Sequence, residues 1–428
     1  MRRLTANEVS DFVSQRETQE GKARAVANAI VGEVREKGWA ALQAYSEKFD
    51  RVKIEKATVY AGKEEIEKAY FGTDAKLLGG MRKMIANVRE FARVERESIK
   101  AVALRKKGLE CTLVFRPVER AGIYVPAGRA PLFSSLIMAA MPAKIAGVDE
   151  IIVCTPPSDG GRPDRRILAA ARLCGISKIY AIGGAQAIAA MAYGIDGVIP
   201  KVDVICGPGN AYVCAAKQAV LANSGARIDI PAGPSEVLVI VGETAKAKEA
   251  AADMLAQAEH GADSSAICIC MSRKKANEVR AEVQTQLGML AGSNAARLSI
   301  GKWGRIFFCE SIGAAIEAAN RIAPEHLELL VRQPEKIVPK IRNAGAIFLG
   351  TGEAFCDYGM GGGNHILPTG GAARAWSGVS VKTFGKFVYV EKISRNGQRK
   401  LAPLAGMLAE AEGLEAHAKA ARIRCEDG

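Results

Sequence analysis

Lys178-Ile-Tyr-Ala-Ile182-Gly-Gly-Ala-Gln-Ala-Ile-Ala-Ala190 reads as a strand, a double-glycine turn and the opening of a helix. Val202-Asp-Val-Ile-Cys206-Gly-Pro-Gly-Asn210 repeats the pattern and opens another Ala-rich helix. Upstream, Ile151-Ile-Val-Cys154 stops just before Pro156-Pro157. Downstream, Val237-Leu-Val-Ile-Val241, Ala266-Ile-Cys-Ile-Cys270, Ile306-Phe-Phe308 and Ala346-Ile-Phe-Leu349 continue the series. Strand, glycine turn and helix in repetition predict parallel α/β sheets. The apolar runs lack polar alternation, as expected of strands covered on both faces. Pro231-Ala-Gly-Pro234 reads as the joint between two such sheets.

Before Arg116 the pattern is helical. Val26, Ile30 and Val34, then Leu77, Met81, Ile85 and Val88, recur at helical spacing, so residues 1 to about 100 are predicted as helices. After about residue 385 the chain turns basic and closes with a helix predicted over Leu404–Ile423.

The 428 residues exceed one ordinary core and predict two or three domains. A formal net charge of +13 could mean a nucleic-acid partner. The basic residues are interspersed with acids, as in Arg93-Val-Glu-Arg-Glu97, so a solvated basic surface that attracts anionic ligands is the better reading. No nucleic acid is expected. The ten cysteines include no Cys-x-x-Cys pair, and Cys268 and Cys270 read as buried thiols on one strand face. The first residues lack the apolar run of a secretory signal, and no later stretch is apolar enough to span a membrane. A reduced, cytoplasmic protein is expected.

Only four histidines occur, each beside carboxylates, amides or glycines. Gln257 and His260 stand three apart, so on a helix their side chains share a face and could hold a metal. The plain alternative is a helix end capped by Gly261. Asp357-Tyr-Gly-Met-Gly-Gly-Gly-Asn364-His365 is a glycine loop bounded by an acid and an imidazole; it could close on a ligand or be a flexible surface loop. Pro324-Glu325-His326 sets a carboxylate beside an imidazole, either an acid–base pair or an exposed corner. Glu412 and His417 lie on the closing helix, where a solvated face is the simpler reading. Gly183-Gly184 and Gly207-Pro-Gly209 are turns of the kind that bind nucleotides, although neither is a full Gly-x-Gly-x-x-Gly.

Taken in order, several segments together resemble the histidinol dehydrogenase family from about residue 20 to 424. They are Tyr124-Val-Pro-Ala-Gly-Arg-Ala-Pro-Leu-Phe, Gly183-Gly-Ala-Gln-Ala-Ile-Ala-Ala, Gly207-Pro-Gly-Asn and Pro231-Ala-Gly-Pro-Ser-Glu-Val-Leu-Val. Gln257-Ala-Glu-His-Gly, Pro324-Glu-His-Leu-Glu-Leu, Asn364-His-Ile-Leu-Pro-Thr and Glu412-Gly-Leu-Glu-Ala-His complete the set. Departures are Pro126-Ala-Gly128, where Pro-Gly-Gly is common, and Cys356 before Asp357.

The resemblance implies two incomplete Rossmann-like parallel-sheet domains of aldehyde-dehydrogenase-like architecture. It implies a helical N-terminal segment (1–20), one α/β domain from 21–119 and 234–384, a second from 120–233, and a tail (385–428) exchanged between the subunits of a homodimer. It implies one zinc ion per subunit on Gln257, His260, Asp357 and His417, and an acid–base pair in Glu325 and His326. Ser235, His365 and Glu412 would contact the substrate, L-histidinol, together with the zinc ligands and His326. Tyr124, Gln186 and Asn210 would contact NAD. The implied reaction is oxidation of L-histidinol to L-histidine through a bound aldehyde, with two NAD used per turnover, the last step of histidine biosynthesis. Another polar alcohol as substrate, a zinc hydrolase and a nucleic-acid-binding protein are the competing readings. The two glycine turns argue against the hydrolase, and the histidines against the last.

Overall fold

The computed structural model describes residues 2–17, 21–128, 130–231, 233–290, 294–350 and 357–426. Strands β1 (Arg2–Arg3) and β2 (Tyr60–Ala61) are short. The long helix Ala75–Ser98 is followed by β3 (Val102–Lys106), β4 (Leu109–Pro117) and β5 (Arg120–Tyr124). β6 (Glu150–Thr155), β7 (Lys178–Ala181), β8 (Val204–Cys206) and β9 (Arg227–Ile228) then alternate with helices. So do β10 (Glu236–Val241), β11 (Ser265–Cys270), β12 (Arg305–Phe308), β13 (His326–Leu330) and β14 (Ala346–Leu349). β15 (Gly385–Ile393) precedes two closing helices.

The chain divides into two compact units, residues up to 93 with 118–384, and 94–117 with 385–428. The first holds two six-stranded sheets, ordered β1-β12-β11-β10-β13-β14 and β2-β7-β6-β5-β8-β9. Every pairing in them is parallel except β2 with β7. β10 and β11 are buried along their whole length, as their unbroken apolar runs predict. In each sheet the chain runs out to one side and returns to the other. The order therefore reverses between β10 and β13, and between β5 and β8.

The partition of the N-terminal third differs from expectation. Residues 2–17 do not stand apart: β1 pairs with β12, and Val9 and Phe12 join the core that contains Leu238, Ile267 and Trp303. Ala27, Ile30, Val31, Val34 and Leu42 pack with Ile188, Ile205 and Val213 on the β5–β9 sheet, not on the β10–β14 sheet. Helical periodicity reveals that a face is buried but not against what. β3 and β4 begin well before Arg116; β3 is exposed throughout, so it carries no burial pattern to read. They pair antiparallel with β15 in the second unit, in the order β15-β4-β3. The single closing helix is instead two, Arg395–Ala411 and Glu415–Glu426, separated where Gly413 takes φ +75°.

Candidate functional site

Glu325 and His326 stand at the amino end of β13, next to the start of β10 in register. Both are buried. The Glu236 N–H donates to Glu325 Oε2 at 2.9 Å, and the Glu236 carbonyl faces His326 Nδ1 at 3.2 Å. Glu325 Oε2 lies 3.6 Å from His326 Nδ1. Burial drives the two in opposite senses, because it disfavours whichever form is charged. It pushes the Glu325 carboxyl up to about 8, with the Glu236 charge adding to the rise and the Glu236 N–H and Arg16 opposing it. It holds the His326 imidazole down to about 3, helped by the neighbouring His365 and His260. A carbonyl can only accept, so His326 Nδ1 carries the proton and Nε2 is left with its lone pair.

His365 Nδ1 faces that nitrogen at 3.4 Å, and its Nε2 reaches Asp357 Oδ2 at 2.8 Å. The Phe348 ring lies against both imidazoles, with centroids 5.9 and 5.6 Å away. The loop that carries Asp357 and His365 is tied down by Asn364, which donates to the Met138 carbonyl at 2.7 Å. The two ends of the glycine loop, Asp357 and His365, thus meet beside His326. Cys356 lies outside the described residues.

Gln257 sits in the last turn of helix Ala247–Ala258, with His260 just beyond the helix end. The Gln257 side chain is fully buried, and neither its Oε1 nor its Nε2 has a partner among the described residues. Such a group is costly unless something polar joins it. His260 remains open to solvent, but protein packed around its ring holds the imidazole below the usual histidine range. Ser235, half-buried, immediately precedes β10 and accepts from the Ser265 N–H. These groups all gather at the amino edge of the β10–β14 sheet. Among the described residues no three His, Cys, Asp or Glu side chains form a group able to hold a metal. Glu412 and His417 belong to the second unit and are exposed.

The second cluster sits at the carboxyl edge of the β5–β9 sheet, where its strand order reverses. Open α/β sheets bind ligands in such crevices. Tyr124 ends β5, buried, and its hydroxyl accepts from the Gly184 N–H at 3.1 Å. Gln186 donates to Asp50 Oδ2 at 3.2 Å, and the Gly183 N–H reaches the same oxygen. Asn210 caps helix Ala211–Asn223, accepting from Tyr212 N–H and Val213 N–H. Gly207 adopts φ +127°, and a Cβ there would collide with the Tyr124 carbonyl. The turn is clasped from below: the Lys217 ammonium donates to the Gly207 carbonyl at 3.0 Å, and Asp229 accepts the Gly207 N–H at 2.8 Å. Lys217 and Asp229 also pair with each other, fully buried.

Sequence reasoning did not single out Arg16, Glu236, Asp50, Lys217, Asp229 or Phe348. Glu236 lies in the conspicuous Pro231–Val239 stretch, which is the one signal that pointed near any of them.

A family model described as histidinol dehydrogenase matches residues 13–425. A histidinol dehydrogenase from Xanthomonas axonopodis pv. citri is 41% identical over 410 residues, covering 95% of this chain and 94% of that protein. The crystal structure of histidinol dehydrogenase from Elizabethkingia anophelis superposes with a TM-score of 0.91 at 36% identity, covering 99% of this chain and 97% of that one. An aldehyde dehydrogenase from Brucella melitensis biovar abortus 2308 is similar in fold alone, with a TM-score of 0.50 at 14% identity over 92% of this chain and 90% of that one.

Proposed function

The chain belongs to the histidinol dehydrogenase family, and from that premise we propose that it oxidises L-histidinol to L-histidine through a bound aldehyde, passing two hydrides in succession to NAD. The observation that carries the reading is the buried Glu325–His326 pair, whose members burial leaves as a protonatable carboxyl and a neutral imidazole. A carboxyl poised near neutrality beside an unprotonated imidazole can exchange protons with an alcohol and a water.

In the first step His326 Nε2 takes the alcohol proton as hydride leaves the carbinol carbon. The facing Nδ1 of His365 shares that proton, and Asp357 fixes the His365 ring. In the second, Glu325 removes a proton from the water that adds to the aldehyde, the aldehyde oxygen takes up a proton, and the gem-diol gives its hydride to a second NAD as one hydroxyl proton passes to His326. Ser235 and His365 from the body, with Glu412 from the tail, would hold the substrate. Tyr124, Gln186 and Asn210 would hold NAD at the switch point between β5 and β8.

A zinc ion fits the donor set. The unpartnered amide of Gln257 is buried beside His260, and Asp357 stands on the loop whose His365 meets His326. These three with His417 are the residues that would hold it. When bound, zinc would anchor the amino and imidazole nitrogens of the substrate as a Lewis acid.

The second unit leaves Val102, Leu104, Phe387, Tyr389, Leu404 and Leu408 exposed, apolar side chains that a partner subunit would cover. We read it as the homodimer contact through which an exchanged tail delivers His417 and Glu412. No described helix is long and apolar enough to cross a membrane. Eight of the ten cysteines are free thiols, in keeping with the reducing compartment we propose. The test is direct: L-histidinol and NAD added to the protein should yield two NADH for each L-histidine formed. One NADH with accumulating aldehyde, or none, would reject the reading.

A further inference from the structure

We propose that Arg16 and Glu236, a buried ion pair at the amino end of β10, are the positioning pair that sets both the orientation and the charge balance of Glu325 and His326. The proposal rests on the acid–base assignment above and adds two residues to it.

Glu236 holds both members of the dyad through its backbone. Its N–H donates to Glu325 Oε2, and its carbonyl receives His326 Nδ1–H. Where that peptide lies therefore fixes the carboxylate direction and the imidazole tautomer together. The Glu236 side chain is itself anchored: Oε1 meets Arg16 Nε at 3.0 Å, with both side chains nearly out of solvent. The same guanidinium donates to the Pro234 carbonyl at 3.1 Å, so it grips the segment on either side of Ser235. Phe12 and Trp303 flank the guanidinium, their ring centroids 5.8 and 5.5 Å away. One residue of the first helix thus spans 218 positions to hold the entrance of β10 at two points.

The pair also balances charge. Glu325 is faced by the Glu236 carboxylate from β10 and by Arg16 from helix Ala6–Glu17, with His326 beside it on its own strand. His365 and His260 bear on His326 from the glycine loop and from the end of helix Ala247–Ala258. With Arg16 present, the Glu236 charge is compensated and Glu325 can ionise near neutrality. Removing the cation leaves a bare buried anion beside it; removing Glu236 leaves a bare cation. The two losses must act on Glu325 in opposite senses.

The experiment is a pH profile of aldehyde oxidation by the zinc-loaded enzyme, with kcat and KM separated. Arg16→Met should lower kcat about tenfold or more with KM for the aldehyde within about threefold, and should move the rising limb to higher pH by about one unit. Glu236→Gln should move it to lower pH. The double variant Arg16→Met/Glu236→Gln should return the limb close to wild type. Glu325→Gln is the control that identifies the limb. Single variants that move the limb the same way, or leave it in place while Glu325→Gln abolishes it, would overturn the pair's role. A limb that survives Glu325→Gln would overturn the base assignment instead. If the uncharged single variants do not fold, Arg16→Lys decides. It keeps the charge but cannot reach Glu236 and Pro234 together, so kcat should fall several-fold with the limb unmoved. Wild-type kcat in Arg16→Lys would refute the two-point grip.

Discussion

Glu325 and His326 are neighbours in sequence, and one environment sends them in opposite directions. For Glu325 the folded protein holds a proton more tightly, about 8 against an ordinary 4.5. Its contribution to stability is therefore complete below about pH 4.5 and lost as pH rises through about 8. Glu325→Gln removes that dependence. Unfolding free energies of wild type and Glu325→Gln, from urea titrations without metal, should diverge across this window in favour of the variant, by on the order of a few kcal/mol. Parallel curves would sink the claim that the carboxyl is buried protonated. In catalysis the sign reverses: a base must be deprotonated, so aldehyde oxidation should rise as pH passes through about 8 and level off above it. Glu325→Gln should slow aldehyde oxidation by about 10² to 10⁴ and the alcohol step much less, as read in stopped-flow NADH formation from each substrate. At this scale the sequence was partly legible. Glu325, His326 and Gln257 announced themselves by local company. Arg16 could not, because an ion pair across 220 positions leaves no mark on the residues around either partner.

Among the elements, the strand-turn-helix units were the most legible, since glycine and proline punctuate them and their strands are apolar on both faces. The support beneath the Gly207 turn was not. Lys217 sits in an Ala-rich helix and Asp229 just beyond β9, and neither looks buried in sequence. Lys217→Met should cost about 3–5 kcal/mol, because it strands the Asp229 carboxylate in the core. It should also release the Gly207 peptide, so NADH fluorescence titration should show weaker binding. Lys217→Met/Asp229→Leu should recover much of the stability but not the NADH affinity, since the Gly207 polar groups stay unpaired. Full recovery of both would show that the clasp does not shape the turn.

At the scale of the molecule, two properties belong to no single site. The cores around Ile152, Leu238 and Val239 contain none of the proposed metal ligands. Chelation should thus abolish turnover while far-UV circular dichroism stays unchanged, and zinc should restore activity at one ion per subunit by elemental analysis. Full activity in verified metal-free protein would rule zinc out. A tail exchanged between subunits, as proposed above, would make a second demand. His260→Ala and His417→Ala homodimers should each be nearly inactive. Refolded together, they should regain about a quarter of wild-type activity, because about half the dimers are hybrids and one of the two sites in each is intact. No recovery, with hybrids verified by mass, would place His417 in its own subunit's site. Which helices cover which sheet was the least legible property of all: residues 27–42 show a buried stripe, and only the folded chain tells whose core it completes.

The parallel register of Arg2 with Phe307 also has a consequence during synthesis. At 5–20 residues per second, about 15–60 s separate translation of β1 from that of its partner strand. Through that interval Phe12 and Arg16 have neither Trp303 nor a finished β12 edge to rest against. Residues 2–17 are made early but docked late. A ribosome-bound chain of about 250 residues should therefore be clipped near its start by a protease that spares the same bonds in the released protein.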